Sequence, residues 1–258
     1  MIVFAISCHP DDMEFMMGGT LLLLKQAGCT IHYINVANGS AGSTTMRPEQ
    51  IAAVRRTESI KAAEVFGAVY HESLVEDLEV FYTQELIRRV TALVRQVKPD
   101  IVLTMSLEDY MDDHMNTGKV AVTATFLRGV GNYRSIPDEP PVLEDVMLYQ
   151  ATPHILSDMT RRPIVPEMYI DVGSVMDQKE KALACHASQK EWLDKTQGLD
   201  SYLKTMRELT GKVGALSGRF RFAEGWRRHS HAGFTRQDCN PLGDILKNRF
   251  WMPAGSGA

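Results

Sequence analysis

Cysteine is scarce: Cys8, Cys29, Cys185 and Cys239 are the whole supply in 258 residues, and no two of them form a CxxC pair. That spacing excludes a cysteine-built zinc knuckle and a dense disulfide framework, and it suits a reducing cytoplasm. Long apolar runs are missing as well. No stretch approaches the roughly 20 residues that span a bilayer, and no basic segment precedes an apolar one at the N-terminus, as a secretory signal requires. Positive charge is not in excess: 28 Lys and Arg stand against 32 Asp and Glu, a net charge of -4, and the basic residues are scattered. A nucleic-acid partner needs a basic face, so none is expected. The expectation is a soluble, cytoplasmic protein with neither a nucleic-acid nor a membrane partner.

What is present is enough for one core. With 44% hydrophobic and 23% charged residues, the chain reads as a single domain over residues 1–250 with a short flexible tail over 251–258. Apolar, β-branched runs at Ile2–Cys8, Thr30–Ala37, about Ile101, Val146–Ala151 and Met168–Val172 predict strands. Helical patterns separate them at Gly18–Gln26, from Pro48 to a C-capping Gly67, and from Leu86 to the stop at Pro99. Two further helices are expected at Asn116–Leu127 and from Ser174, with Asp177 in its first turn. This alternation predicts an α/β fold with a Rossmann-like, mostly parallel sheet and helices on both faces. Ligand sites in such sheets lie beyond the carboxyl ends of the strands.

Two charged segments fall at that edge. "CHPDD" follows the first strand, and "LEDYMDDH" follows the strand near Ser106, about 100 residues later. A catalytic divalent cation takes three imidazole or carboxylate ligands and keeps a position open for water. His9, Asp12 and His114 make such a set, and Asp11 is left over as a general base beside it. Cys8 is read as a small apolar residue closing a buried strand, with metal ligation as the alternative. Asp113 is expected to orient His114. His229 and His231 have HxH spacing but sit in an Arg-rich polar stretch, which predicts a solvated loop.

The chain resembles the LmbE-like or PIG-L-like zinc-dependent N-deacetylases. The likeness rests on His9-Pro10-Asp11-Asp12-Met13-Glu14 after the first strand, on Gly18 and Gly19, and on "NGSAGS" followed by Arg55 and Glu58. It continues in Lys179, Ala182, Leu183, His186, Ser188 and Gln189, and in "FAEGWRR" at Phe222–Arg228. It implies His9, Asp12 and His114 as ligands of zinc, with iron, cobalt or manganese as alternatives, and Asp11 as the base. It further implies an N-acetylglucosamine-type sugar or conjugate as the small-molecule partner, and a homo-oligomer as a candidate assembly.

One position departs from the pattern. Where the family has a histidine credited with steadying the acyl oxygen, this chain has Met111, and a thioether donates no hydrogen bond. Three replacements stay open: His186, Tyr110, or the metal alone. The polar segment Asn132–Asp145 is expected to border the pocket or to form an unrelated surface loop, and Arg134, Arg161 and Arg162 are candidates to meet an anionic substrate group. Two alternatives also remain. One is hydrolysis of another amide or acylated amine. The other is a non-catalytic sugar- or nucleotide-binding protein built on the Gly-rich "ANGSAGS", which has neither GxGxxG nor GxxxxGK[ST].

Overall fold

The computed structural model describes residues 1–190 and 202–254. Among them, eight strands form one sheet in the order β3-β2-β1-β4-β5-β7-β6-β8. The first five positions are parallel: β3 (Val69–His71), β2 (Thr30–Asn35), β1 (Ile2–Ser7), β4 (Ile101–Thr104) and β5 (Met147–Ala151). The last three, β7 (Ala223–Arg228), β6 (Met168–Asp171) and β8 (Phe250–Trp251), join antiparallel. The α/β, mostly parallel expectation therefore holds. Register aligns the strand ends: Ile6 pairs with Ile34 and with Thr104, so the chain leaves β1 and β4 side by side at the same edge.

Among the described residues the α-helices are α1 (Asp12–Met16), α2 (Gly18–Gln26), α3 (Pro48–Phe66), α4 (Gln84–Val97), α5 (Asp112–Leu127), α6 (Met176–Leu183), α7 (Tyr202–Ser217) and α8 (Pro241–Leu246). Local sequence explains several. Pro48 opens α3 and Gly67 closes it at φ 59°. The α4 stripe is buried at Leu86, Ile87, Val90, Val94 and Val97, as a helix covering a sheet requires. At α5 the structure departs from expectation: the helix starts at Asp112, four residues before Asn116. Two acidic residues in its first turn complement the positive end of the helix, and His114 consequently sits on a helix rather than on a loop.

β7 is legible in the sequence only as a motif, because its inward positions are not the apolar ones an alternating strand shows. Glu224 is buried with Trp226, and Gly225 is required since a Cβ there would lie 2.4 Å from both Pro166 Cγ and Thr152 Oγ1. The sequence predicts no element at α7, where Thr210, Gly211 and Gly214 lower helix propensity and packing of Tyr202 and Met206 into the core outweighs it. Trp251, assigned to a tail, pairs with Tyr169 in β8. Only residues 255–258 of that tail lie outside the described residues.

Motifs far apart in sequence meet inside the molecule. Glu224 accepts from the backbone of Gly19 and Thr20 at 2.7 Å each, at the start of α2, and from Lys179 Nζ at 2.5 Å. Gly19 is needed for this approach, because a Cβ would fall 2.5 Å from Val172. Lys179 Nζ also donates to the carbonyl of Phe15 at 2.8 Å. The buried pair thereby ties α6, α2 and β7 to the helix that follows the HPDD segment.

Candidate metal centre

The HPDD segment turns sharply off β1. Asp11 takes φ 104°, a left-handed conformation that costs a non-glycine residue roughly 1–3 kcal/mol and is held only when the surroundings impose it. They do so here. Arg55, from α3, is buried and donates to the carbonyl of Pro10 at 2.6 Å, and its guanidinium lies 3.8 Å from Asp11 Oδ1. The His9 amide donates to Asp12 Oδ2 at 2.8 Å, closing the turn.

His9, Asp12 and His114 converge. Their candidate ligand atoms all lie within 4.8 Å of one another, with His9 Nδ1 and His114 Nε2 each 3.3 Å from Asp12 Oδ2. All three side chains are buried. The outer nitrogen of each imidazole faces a carboxylate: His9 Nε2 is 3.2 Å from Asp113, and His114 Nδ1 is 3.2 Å from Asp109. This is the arrangement by which ligating histidines are oriented. The expected partner of His114, Asp113, is corrected here. Neighbouring residues on a helix do not face each other, so Asp113 turns to His9 and Asp109, from the preceding loop, serves His114. Asp113 also accepts from the Leu78 amide at 2.8 Å.

The electrostatics favour positive charge at this point. Burial works against charge on His9, yet Cys8, Asp113 and Asp12 hold its pKa well above the usual imidazole value. His114 behaves likewise, with Asp12 and Asp109 outweighing burial. Asp12 is buried too, but His114 and His9 pull its carboxyl well below the usual range. Two imidazole nitrogens and one carboxylate oxygen form a donor set that fits a borderline divalent cation such as zinc. Cys8 is buried with Sγ 3.7 Å from His9 Nε2, and with His9 and Asp113 it forms a second group of candidate donors.

Asp11 stands beside this set. Burial pushes its carboxyl up to about 6, Arg55 works in the opposite direction, and Asp12 adds to the rise. Tyr202 Oη donates a hydrogen bond to Asp11 Oδ2. Tyr202, in α7, is named by no sequence expectation.

His9, Asp11, Asp12, Arg55 and His114 line a cavity of about 420 Å³, large enough for a sugar. Met111 and Tyr110 are on its wall. Tyr110 is 40% exposed, and burial of its ring together with Asp12 and Asp109 raises its phenol pKa, so it remains a donor. His186 is not part of the wall. It follows α6, is fully buried, and has Nε2 3.3 Å from Glu14 Oε1, so its charge reaches Asp11 only from behind. The expectation that His186 replaces the missing histidine at the substrate is corrected by that burial. Among the described residues, none from Asn132–Asp145 borders the cavity; Arg134 is instead paired with Asp138 on the surface. Arg161 and Arg162 are exposed and also outside it. His229 Nδ1 lies 3.2 Å from Gln150 and His231 faces Asp238, remote from the centre. Phe15, Asp77, Leu78, His154 and Thr205 are on the wall although no sequence expectation names them, and of these His154, beyond β5, is the imidazole.

Fold and site together define a mostly parallel α/β protein with a His–Asp–His donor set at the carboxyl edge of its sheet. Residues 4–125 match the family described as PIG-L, GlcNAc-PI de-N-acetylase. It is 28% identical over 236 residues to the diacetylchitobiose deacetylase of Thermococcus kodakarensis, covering 87% of this chain and 82% of that one. It is 27% identical over 196 residues to the 4-oxalmesaconate hydratase of Pseudomonas putida, covering 72% of each. The crystal structure of GalB, the 4-carboxy-2-hydroxymuconate hydratase of Pseudomonas putida KT2440, shares the fold, with a TM-score of 0.75, 22% identity, and coverage of 93% of this chain and 98% of that one. No helix among the described residues is long and apolar enough to cross a membrane.

Proposed function

We propose that this protein is a zinc-dependent hydrolase that removes the N-acetyl group of an N-acetylglucosamine-type sugar or conjugate. The observation that carries this reading is the convergence of His9, Asp12 and His114 beside an unligated Asp11 at the wall of a sugar-sized cavity. A divalent cation held by His9, Asp12 and His114 supplies Lewis acidity and lowers the pKa of water; zinc suits the donors, and iron, cobalt or manganese would satisfy them too. The protein's own groups do the rest. Asp11, with a pKa near the operating pH, takes a proton from the attacking water and returns it to the departing amine. Tyr202 and Arg55 fix the Asp11 carboxylate so that little reorganisation accompanies the transfer. Tyr110 borders the same space with a phenolic donor. The partner is then a small acetylated amino sugar, handled in the cytoplasm.

The 4-oxalmesaconate hydratase relative favours a second reading, in which this chain hydrates a substrate of that kind. The lining weighs against it. Among the described residues the wall carries Asp11, Asp12 and Asp77 against one guanidinium, Arg55, which is already held by Pro10 and Asp11 and lies 3.8 Å from Asp77. Apart from the cation, a substrate with several carboxylates meets no unengaged guanidinium on the described wall, whereas a neutral sugar finds hydrogen-bond acceptors.

The deciding experiment loads the protein with zinc and measures acetate released from N,N′-diacetylchitobiose and N-acetylglucosamine conjugates, with 4-oxalmesaconate in parallel. Acetate release that Asp11→Asn lowers by roughly 10²–10⁴-fold is the expected result. Release unchanged by Asp11→Asn, or turnover of 4-oxalmesaconate alone, sinks the deacetylase reading.

A further inference from the structure

The wall position given up by Met111 leaves the site without the imidazole that the resemblance leads one to expect, and another element supplies one. His154 lies just after β5, the strand that pairs with β4 in parallel, so it emerges at the same sheet edge as the segment bearing His114. Its backbone is pinned on both sides. The Thr152 amide donates to the Gly225 carbonyl at 2.9 Å, and the Leu156 amide donates to the Pro153 carbonyl at 2.9 Å, which folds residues 153–156 into a tight turn.

The ring is held as firmly as the backbone. Its centroid is 5.0 Å from that of Tyr110, edge to face at 88°, 6.4 Å from that of His114, and 6.1 Å from that of Phe15. These neighbours come from three elements: the loop before α5, α5 itself, and α1. Edge-to-face contacts of this kind fix a ring without using its polar atoms. Among the described residues no hydrogen-bond partner takes the ring nitrogens of His154, although the ring borders the cavity that holds the donor set. A positioned imidazole N–H facing a substrate cavity is the form of group that stabilises charge developing on an acyl oxygen. His186 has no access to the cavity, and Tyr110, also on the wall, packs its ring against His154 and helps to position it.

We propose that His154 is a catalytic residue, donating a hydrogen bond to the acyl oxygen of the substrate as the carbonyl carbon becomes tetrahedral. The proposal rests on the deacetylase reading above and adds to it the residue that compensates for Met111. In doing so it moves the function from the loop before α5 to the loop after β5, without adding a reactant.

The test uses the zinc-loaded full chain and two measurements. Turnover is followed with N,N′-diacetylchitobiose. Binding is measured for methylphosphonate, a tetrahedral anion shaped like the hydrated acetyl group, and for planar acetamide as the control. His154→Ala is expected to lower kcat by roughly 10²–10³-fold, the loss usual for one such donor, with KM little changed and zinc content retained. Methylphosphonate should bind about tenfold more weakly to the variant, while acetamide is unaffected. A ring that serves only packing would not separate the tetrahedral ligand from the planar one. His154→Phe keeps the ring contacts without the donor and is measured alongside, so that a folding defect in the alanine variant cannot decide the outcome. Wild-type kcat and methylphosphonate affinity in His154→Phe overturn the proposal and leave the deacetylase reading standing. A wild-type protein that releases no acetate overturns that reading, and the proposal with it.

Discussion

The two ends of the sheet are built by different rules. From β3 to β5 the strands are parallel, their helices cross over on local signals, and the donor set sits where β1 and β4 leave the sheet. Beyond β5 the strands run antiparallel, and this half contributes no candidate metal ligand among the described residues. What it contributes is support: Glu224 at the start of α2, Lys179 on Phe15, Tyr202 on Asp11, and the ring of His154. The first half thus supplies the candidate metal ligands and Asp11, and the second determines how they are held and adds the His154 imidazole at the cavity wall. Substitutions in the two halves should therefore fail in different ways.

The largest effect is expected in the first half. Asp12→Ala removes the carboxylate that both imidazoles face, so zinc content measured by elemental analysis should fall to background and acetate release with it. Retained zinc would mean that another donor group, such as Cys8 with His9 and Asp113, holds the ion. In the second half, Lys179→Met leaves Glu224 buried without its cation, a loss of about 3–5 kcal/mol. For a chain of this length that corresponds to a Tm lower by roughly 6–20 °C, to be read by calorimetry, with zinc content unchanged in the folded fraction. A smaller loss would show that the helix start and the Phe15 carbonyl hold the region without the ion pair.

Tyr202→Phe keeps the ring packed against Phe15 and removes only the hydroxyl on Asp11. The expected result is about tenfold lower kcat, the worth of one hydrogen bond to a charged group, with KM and Tm near wild type. A change in KM alone would reassign Tyr202 from the base to the substrate.

The smallest effect concerns the outer edge of the first half, far from the centre. His32 and His71 stack there with Nδ1 and Nε2 2.8 Å apart. Burial, with His32 as neighbour, pushes His71 down to about 4, and burial lowers His32 as well. In the unfolded chain both titrate near the ordinary imidazole value of about 6.5. Between those values the unfolded state binds more protons, so this contribution to stability is intact above about pH 6.5 and declines as the pH falls toward 4. Chemical denaturation across that window should show a shallower pH slope for His71→Gln than for the wild-type chain.

The contrast between the halves also explains what could be read in advance. Ile2–Cys8, the α4 stripe and the HPDD turn are local patterns, so strands, helices and the candidate ligands emerge from neighbouring side chains. The start of α5 at Asp112 is a matter of helix-end electrostatics that apolar spacing does not report. The exchange of Asp113 and Asp109 between the two histidines stems from that start. His186 carries a family motif, and only packing shows that the motif buries it against Glu14. β7 escapes because Glu224 and Gly225 occupy positions where an isolated strand would show apolar residues.

By itself the sequence determined the fold class, the parallel strands other than the three-residue β3 and the identity of the candidate ligands, because each is marked by a local pattern of apolar or charged residues. Tertiary structure alone decided which carboxylate faces which imidazole, that Tyr202 meets Asp11 across 191 residues, and that His154 rather than His186 borders the cavity. These contacts are made between segments brought together by burial of the core, and the spacing of residues along a chain holds no record of them.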